Sequence, residues 1–363
     1  MPRKIIVFIT ITLILTLVAC STTTSETVGK DPISVMDALG RNVELPALPE
    51  RIVVGGNGAL MIVDALLAFP EGQERLVAYT KTDQGKGSFT EIILGENTAE
   101  LIEDRTSVEA IAAYQPDIVL LKSYMQELGN TLEEVGIPVA YFNFETYQQY
   151  QQDMTNLGII LGNPARAEEL SAYYANIVDE IETTTEELAD SEKPNVLFAY
   201  YDTRDNAVAL KVPPMEWAQT AMIERAGGIP VWSDIQLSSS WTIVSFEQIA
   251  AWNPDVIFLT SYFENVDDVK FALLTDSQWQ QLKAVTSNQL YAFPMAFYSW
   301  DQPHTRWGIV QQWLTNKLHP EKFTEFNFQD EAESFYKLFY GWEDNQYQTF
   351  IEPILQGDII PSP

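Results

Sequence analysis

Fifteen residues of this chain recur at a separation of 138: SVEAIAAYQPDIVLL over 107–121 and SFEQIAAWNPDVIFL over 245–259, identical at eight positions. A solenoid repeats every ~20–50 residues, so a separation this long marks a duplicated domain element. Each copy spells one short helix and one buried strand. Ser107 and Ser245 are placed to accept hydrogen bonds from the first free amide groups of a helix. Glu109 and Glu247 then fall in the first turn, where the positive end of the helix dipole favours a carboxylate. Pro116 and Pro254 stop the helices, because the residue ahead of a proline is pushed out of the α region. The runs 118–121 and 256–259 are apolar without alternation, as in a parallel strand covered on both faces. Two such units predict an α/β protein of two Rossmann-like lobes with parallel sheets.

At 363 residues and 46% hydrophobic, the chain is long enough for two domains with real cores. Its first twenty residues, MPRKIIVFITITLILTLVAC, place Arg3 and Lys4 ahead of an apolar stretch at 5–19. That stretch is shorter than the ~20 residues a membrane span needs. It has the layout of a secretory signal, predicted over 1–19, with an uncleaved anchor as the alternative. Leu17-Val18-Ala19-Cys20 looks like a bacterial lipobox, which makes Cys20 the expected lipidation site and places the protein outside the cytoplasm, anchored to the cell membrane. Cys20 is the sole cysteine, so disulfides and thiolate metal sites are excluded together. Residues 20–34 read as a flexible tether. Removing 1–19 takes the net charge from −30 to −32, and so acidic a surface repels nucleic acid and anionic lipid. An anionic ligand would have to meet a local basic cluster inside a cleft.

Strand patterns at 51–54, 76–79, 117–121 and 139–142 alternate with helical ones, predicting a parallel sheet in an N-terminal lobe over 35–163. A single helical pattern then fills 164–189, with Pro164 just inside its start and Pro194 just beyond its end. At 1.5 Å per residue it spans roughly 36 Å, about the width of a lobe. Residues 164–192 are accordingly read as a linking helix, with an ordinary surface helix as the alternative. Strands resume at 195–201 and 290–293 around the second copy of the repeat, defining a C-terminal lobe over 193–363.

These pieces resemble the bacterial and archaeal periplasmic-binding proteins of the iron-siderophore, haem and cobalamin type. The resemblance is carried by Asp37-Ala38-Leu39-Gly40-Arg41, Pro49-Glu50-Arg51-Ile52-Val53-Val54, both repeat copies, Ala226-Gly227-Gly228, Ser299-Trp300-Asp301-Gln302-Pro303, Leu318-His319-Pro320-Glu321 and 335–341. It implies two lobes joined by a rigid helix, a ligand cleft between them and no catalysed reaction. The partners it implies are an ABC permease dimer with its cytoplasmic ATPase and a small-molecule metal complex, with the receptor itself a monomer. In that family the acid of each repeat copy meets permease arginines, a role that falls by position to Glu109 and Glu247. Their bland alternative is a modest contribution of ~0.3–1 kcal/mol each to their helices.

Open α/β sheets bind ligands at the carboxyl ends of their strands. The loops there supply Asn57, Lys81, Lys86, Lys122 and Tyr124 from the first lobe. From the second come Tyr201, Arg204, Trp241, Tyr262, Tyr298, Trp300 and Arg306. Aromatic rings with a few cations suit a bulky chelate, so the expected cargo is an iron complex, most simply a ferric siderophore. Haem or cobalamin is the alternative cargo, and no cofactor is expected. A zinc or manganese receptor would need several histidines, whereas only His304 and His319 exist. His319 reads as a helix-end residue, and His304 as either a weak axial-ligand candidate or a plain surface histidine. Gly55-Gly56-Asn57-Gly58 lacks the third glycine of a dinucleotide fingerprint, and no G-x-S-x-G elbow is present. A surface enzyme acting on glycans remains the reading from another class, because carboxylates are abundant.

Overall fold

Two sheets carry the two copies of the repeat, each copy in the same place. The computed structural model describes residues 31–359 apart from 83, 85, 86, 97, 98, 205 and 206, so the signal segment 1–19 and Cys20 lie outside the described residues. The first sheet runs Glu100–Ile102, Leu76–Thr80, Ile52–Val54, Ile118–Lys122, Val139–Phe142, all parallel. The second runs Thr242–Val244, Ala209–Val212, Asn195–Asp202, Val256–Thr260, Leu290–Ala292. Its last three strands are parallel, while Ala209–Val212 and Thr242–Val244 form an antiparallel edge that the apolar-run pattern did not announce. In both sheets the repeat's strand is fourth in line, and its helix is capped alike: Ser107 Oγ accepts from Ala110 N–H at 3.1 Å, Ser245 Oγ from Gln248 N–H at 3.2 Å.

The shared aspartate of the repeat has a mechanical role. Asp117 accepts from the amides of Glu50 and Arg51 at 2.8 and 2.9 Å, and Asp255 accepts from the amide of Asn195 at 2.8 Å. Each carboxylate therefore pins the start of the neighbouring strand, Ile52–Val54 or Asn195–Asp202. Such charge-assisted bonds set register where the apolar strands themselves offer no directional cue.

The body begins in an antiparallel hairpin, Ile33–Met36 with Asn42–Leu45, so the last residues of the stretch read as tether, 20–34, belong to a strand. Between the lobes lies the helix Pro164–Thr185, 22 residues or about 33 Å at 1.5 Å per residue. It ends short of the expected 192. Three consecutive β-branched threonines lower its propensity, and the Thr185 hydroxyl donates to Glu182 O and Arg225 O. Its buried face passes from the helix Tyr147–Leu161 to the helix Trp307–Leu318, where Tyr174 stacks on Trp307 with centroids 4.7 Å apart. Gly308 permits this approach, since a Cβ there would sit 2.9 Å from the Tyr173 ring.

The halves share one continuous apolar core, and at its centre is an ion pair. Asp64 belongs to the otherwise apolar helix Ala59–Leu67, and Arg306 precedes the helix Trp307–Leu318. Arg306 Nη1 donates to Asp64 Oδ2 at 2.6 Å with both side chains almost wholly buried. The Tyr298 hydroxyl also donates to Asp64, Tyr340 donates to its backbone carbonyl, and Arg306 Nε donates to the Tyr336 hydroxyl. Phe89 covers the guanidinium at 4.0 Å. Removing one member of such a pair strands the other charge, at a cost of ~3–5 kcal/mol. Arg306→Met is expected to lower the unfolding free energy by about that amount, and adding Asp64→Leu to restore part of it. Urea denaturation of the single and double variants measures this, and additive losses would contradict the coupling.

Candidate functional site

Loops at the carboxyl ends of the strands of both sheets enclose a cleft of about 720 Å³. Pockets for small organic ligands run to ~300–1,000 Å³, so this one takes a bulky molecule. On the first lobe the strand Ile52–Val54 leads to Asn57 and Gly58, Leu76–Thr80 to Lys81, Ile118–Lys122 to Tyr124, and Val139–Phe142 to Asn143 and Glu145. Gly58 has φ 75°, and a Cβ on it would lie 2.4 Å from the Tyr124 hydroxyl, which itself donates to Asn57 O at 3.1 Å. The positive φ favours glycine at that corner. The loop carrying Glu145 is held from below by Asp153, which accepts from the amides of Asn143 and Phe144 at 2.7 and 2.8 Å. Burial pushes the Asp153 carboxyl up to about 6 in spite of those two bonds.

The second lobe contributes an aromatic wall. Trp217, Trp241, Tyr200 and Tyr262 form a chain with centroids 5.4, 5.0 and 4.5 Å apart, and Phe263, under the Arg204 guanidinium at 4.9 Å, also lines the cleft. Behind the wall, fully buried Asp301 accepts from Tyr262 at 2.7 Å, Gln219 at 2.8 Å and Thr260 at 3.2 Å. Burial raises the Asp301 carboxyl, and the bonds from Gln219, Ser299, Tyr262 and Thr260 oppose that rise.

The cleft reverses the charge of the chain. The sequence has 51 acidic and 21 basic residues, yet the described lining holds four basic side chains (Lys81, Arg105, Lys122, Arg204) against Glu145 and Glu216. Exposure separates their roles. Lys81 and Arg204 keep 46% and 53% of their side chains exposed beside Glu103 and Asp202, whereas Lys122, at 1%, is spent on Glu145 and Asn143 O. Arg204 and Lys211 together hold the Asp202 carboxyl far below the usual range.

Of the residues expected at the ligand, Asn57, Lys81, Lys122, Tyr124, Arg204, Trp241 and Tyr262 line the cleft. Four others do not. Trp300 is fully buried and stacked on Phe328 at 5.7 Å, while Tyr298 and Arg306 are consumed by the ion pair with Asp64. The run 301–310 turns in beneath the cleft and is buried throughout. Tyr201 alternates with Tyr200 along Asn195–Asp202, so it packs on the opposite face of the sheet from the aromatic wall. Lys86 lies outside the described residues. Arg105, Glu145, Tyr200, Trp217, Gln219 and Phe263 were not anticipated. Trp217 was legible in part, as an aromatic ring immediately ahead of the helix Ala218–Arg225.

His304 is neither a surface residue nor placed to bind metal. It is fully buried, its Nε2–H donates to Ser299 O at 3.1 Å, and its Nδ1 accepts from the Arg306 amide at 3.2 Å. Both nitrogens are therefore occupied. His319 caps the helix Trp307–Leu318, with Nε2 3.0 Å from Ala226 O. Among the described residues no cluster of His, Cys, Asp or Glu could hold a metal ion, and no helix is long and apolar enough to cross a membrane.

The periplasmic binding protein family matches residues 102–296, more than half of the chain, and the chain belongs to that family. It is 21% identical to the molybdate-binding protein MolA of Haemophilus influenzae, over 84% of this chain and 90% of that one. It is 27% identical to a cobalamin-binding protein of Halobacterium salinarum, over 68% of this chain and 63% of that one. A periplasmic solute binding protein of Veillonella parvula superposes with TM-score 0.71 at 25% identity, covering 89% of this chain and 98% of that one. Family and fold are those of extracytoplasmic substrate-binding proteins of ABC importers.

Burial and the Arg306 charge hold His304 well below its ordinary 6.5, so it is neutral in the folded protein. The unfolded chain protonates it first, and stability falls as the pH drops below about 6.5, by up to ~1.4 kcal/mol per pH unit. Asp153 works in the other direction, because its raised carboxyl binds a proton more readily folded than unfolded between about pH 6 and 4. Urea denaturation of wild type and His304→Gln at pH 7, 6 and 5 isolates the histidine, since Asp153 is common to both. The gap between the two stabilities is expected to change toward acid in favour of the variant; parallel curves would refute this.

Proposed function

We propose that this protein captures a ferric siderophore and delivers it to an ABC importer, a permease dimer with its cytoplasmic ATPase, while held at the membrane by lipid on Cys20. The carrying observation is the charge reversal in the cleft: a chain of net charge −30 gathers four cations around a space of about 720 Å³. Lys81, Arg105 and Arg204 suit the negatively polarised oxygens around a ferric ion, and Trp217, Trp241 and Phe263 suit its organic scaffold. The cobalamin-binding relative favours a second reading, a corrinoid, which is also bulky. Molybdate fits the space poorly, since a five-atom oxyanion displaces only on the order of two or three waters of ~30 Å³ each.

Trp217 and Trp241 give the cleft its own signal. Tryptophan fluorescence titrated with ferric siderophores, haemin, cobalamin and molybdate is expected to be quenched at one equivalent by a ferric siderophore, with the quench reduced in Trp217→Phe and Trp241→Phe. Saturation by cobalamin alone would replace the iron reading with the corrinoid one.

Delivery rests on Glu109 and Glu247, both exposed, both in the first turn of a repeat helix. They are proposed to meet permease arginines as a monomer docks across both lobes. Reversing both charges, Glu109→Arg with Glu247→Arg, is expected to abolish uptake by whole cells and leave ligand affinity unchanged. Uptake at the wild-type rate would remove the docking role.

A further inference from the structure

A polar atom in the aromatic wall has no partner. Gln219 Oε1 is buried, belongs to a side chain that lines the cleft, and makes no hydrogen bond. A buried polar group left unpaired costs the full desolvation of that group, so such atoms mark a place where something else supplies the partner. The Tyr200 phenol, raised above its ordinary value by burial, interacts instead with Asp202 and Arg204.

The orientation of Gln219 is dictated. Its Nε2 donates at 2.8 Å to Asp301, whose carboxylate also accepts from Tyr262 and Thr260. A carboxylate receiving three donors offers no hydrogen to an amide oxygen, so the amide cannot turn round. Oε1 is left as the free end. An amide oxygen is an acceptor only, and it repels a bare carboxylate or oxyanion as surely as it attracts an N–H or O–H.

From this arrangement we infer that the second-lobe wall selects a ligand whose organic scaffold carries a neutral hydrogen-bond donor, an amide N–H or a hydroxyl. Gln219 accepts from that group. Asp301, which touches no ligand, is the positioning residue. The inference rests on the proposal of a bulky chelate and narrows it: a trihydroxamate with free secondary amides, and not a complex built of carboxylates alone.

The test titrates wild type, Gln219→Met and Asp301→Asn with four probes: a ferric trihydroxamate bearing free amides, ferric dicitrate, cobalamin, which carries peripheral carboxamides, and molybdate. Gln219→Met, close in size, is expected to weaken the trihydroxamate about tenfold and to leave ferric dicitrate within about twofold. Asp301→Asn supplies a donor of its own, so the Gln219 amide turns and presents Nε2 to the cleft. Affinity is then expected to shift toward ferric dicitrate, a reversal that mere loosening of the wall would not produce. Equal losses on both iron complexes in Gln219→Met, or a wild type that prefers dicitrate or molybdate, would overturn the inference. If cobalamin binds and neither iron complex does, the iron reading falls alone, and the loss on cobalamin in Gln219→Met decides the inference separately. A wild type that keeps its melting transition and binds none of the four overturns both.

Discussion

The ion pair of Asp64 with Arg306 is where the two halves become one body. Burying two charges costs several kcal/mol for each ion, and the attraction between them repays this only when geometry and further hydrogen bonds are good. Here they are. Asp64 is fixed by Arg306 and Tyr298, and Arg306 by Asp64, Tyr336 and a cage of aromatic faces from Phe89, Tyr298, Trp300 and Tyr336. Asp64 and Phe89 belong to the first half of the chain and the rest to the second, so parting the halves would break the bonds of Asp64 to Arg306 and Tyr298 and the contact of Phe89 with the guanidinium together. Arg306 stays charged, while burial works to raise the Asp64 carboxyl and the partners around it work to lower it.

The same constraint lies beneath the cleft. Its walls are loops at the ends of two sheets, and beneath them the helix Pro164–Thr185, packed on Tyr147–Leu161 and Trp307–Leu318, and the shared core tie the two halves together. The repeat contributes twice over. Its strands bring Lys122 and Tyr124 to one wall and Tyr262 and Phe263 to the other, and its aspartates, Asp117 and Asp255, hold neighbouring strands in step so that the loop ends meet. A small error in either register would turn a lining side chain into the core, because strand side chains alternate faces.

Much of this was legible in the sequence, for reasons that also mark the limit. Helix caps, prolines and apolar runs act locally, so the repeat announced its helices and strands, and strand ends announced the cleft. Which aromatic faces the cleft is a tertiary matter. Trp300 and Trp241 look alike in sequence; one stacks on Phe328 inside the core and the other lines the wall, as the path of the run 301–310 decides. Tyr201 and Tyr200 differ by one step of strand phase. The lock did leave a trace, a single aspartate in the helix ALMIVDALL, where a charge among apolar residues requires a buried partner. Nothing local pointed to Arg306 as that partner, 242 residues away.

The contrast between the two kinds of ion pair says where the molecule can yield. Lys81 with Glu103 and Arg204 with Asp202 each keep the cation about half exposed at the cleft. For Lys81 and Glu103, water screens an attraction worth only ~0–1 kcal/mol, so an incoming oxygen-rich group exchanges with that carboxylate at little cost. Arg204 is held more firmly, because buried Asp202 would be left with Lys211 alone. Asp64 and Arg306 have no such freedom. The cations free to change partners are thus those at the mouth, Lys81 more readily than Arg204.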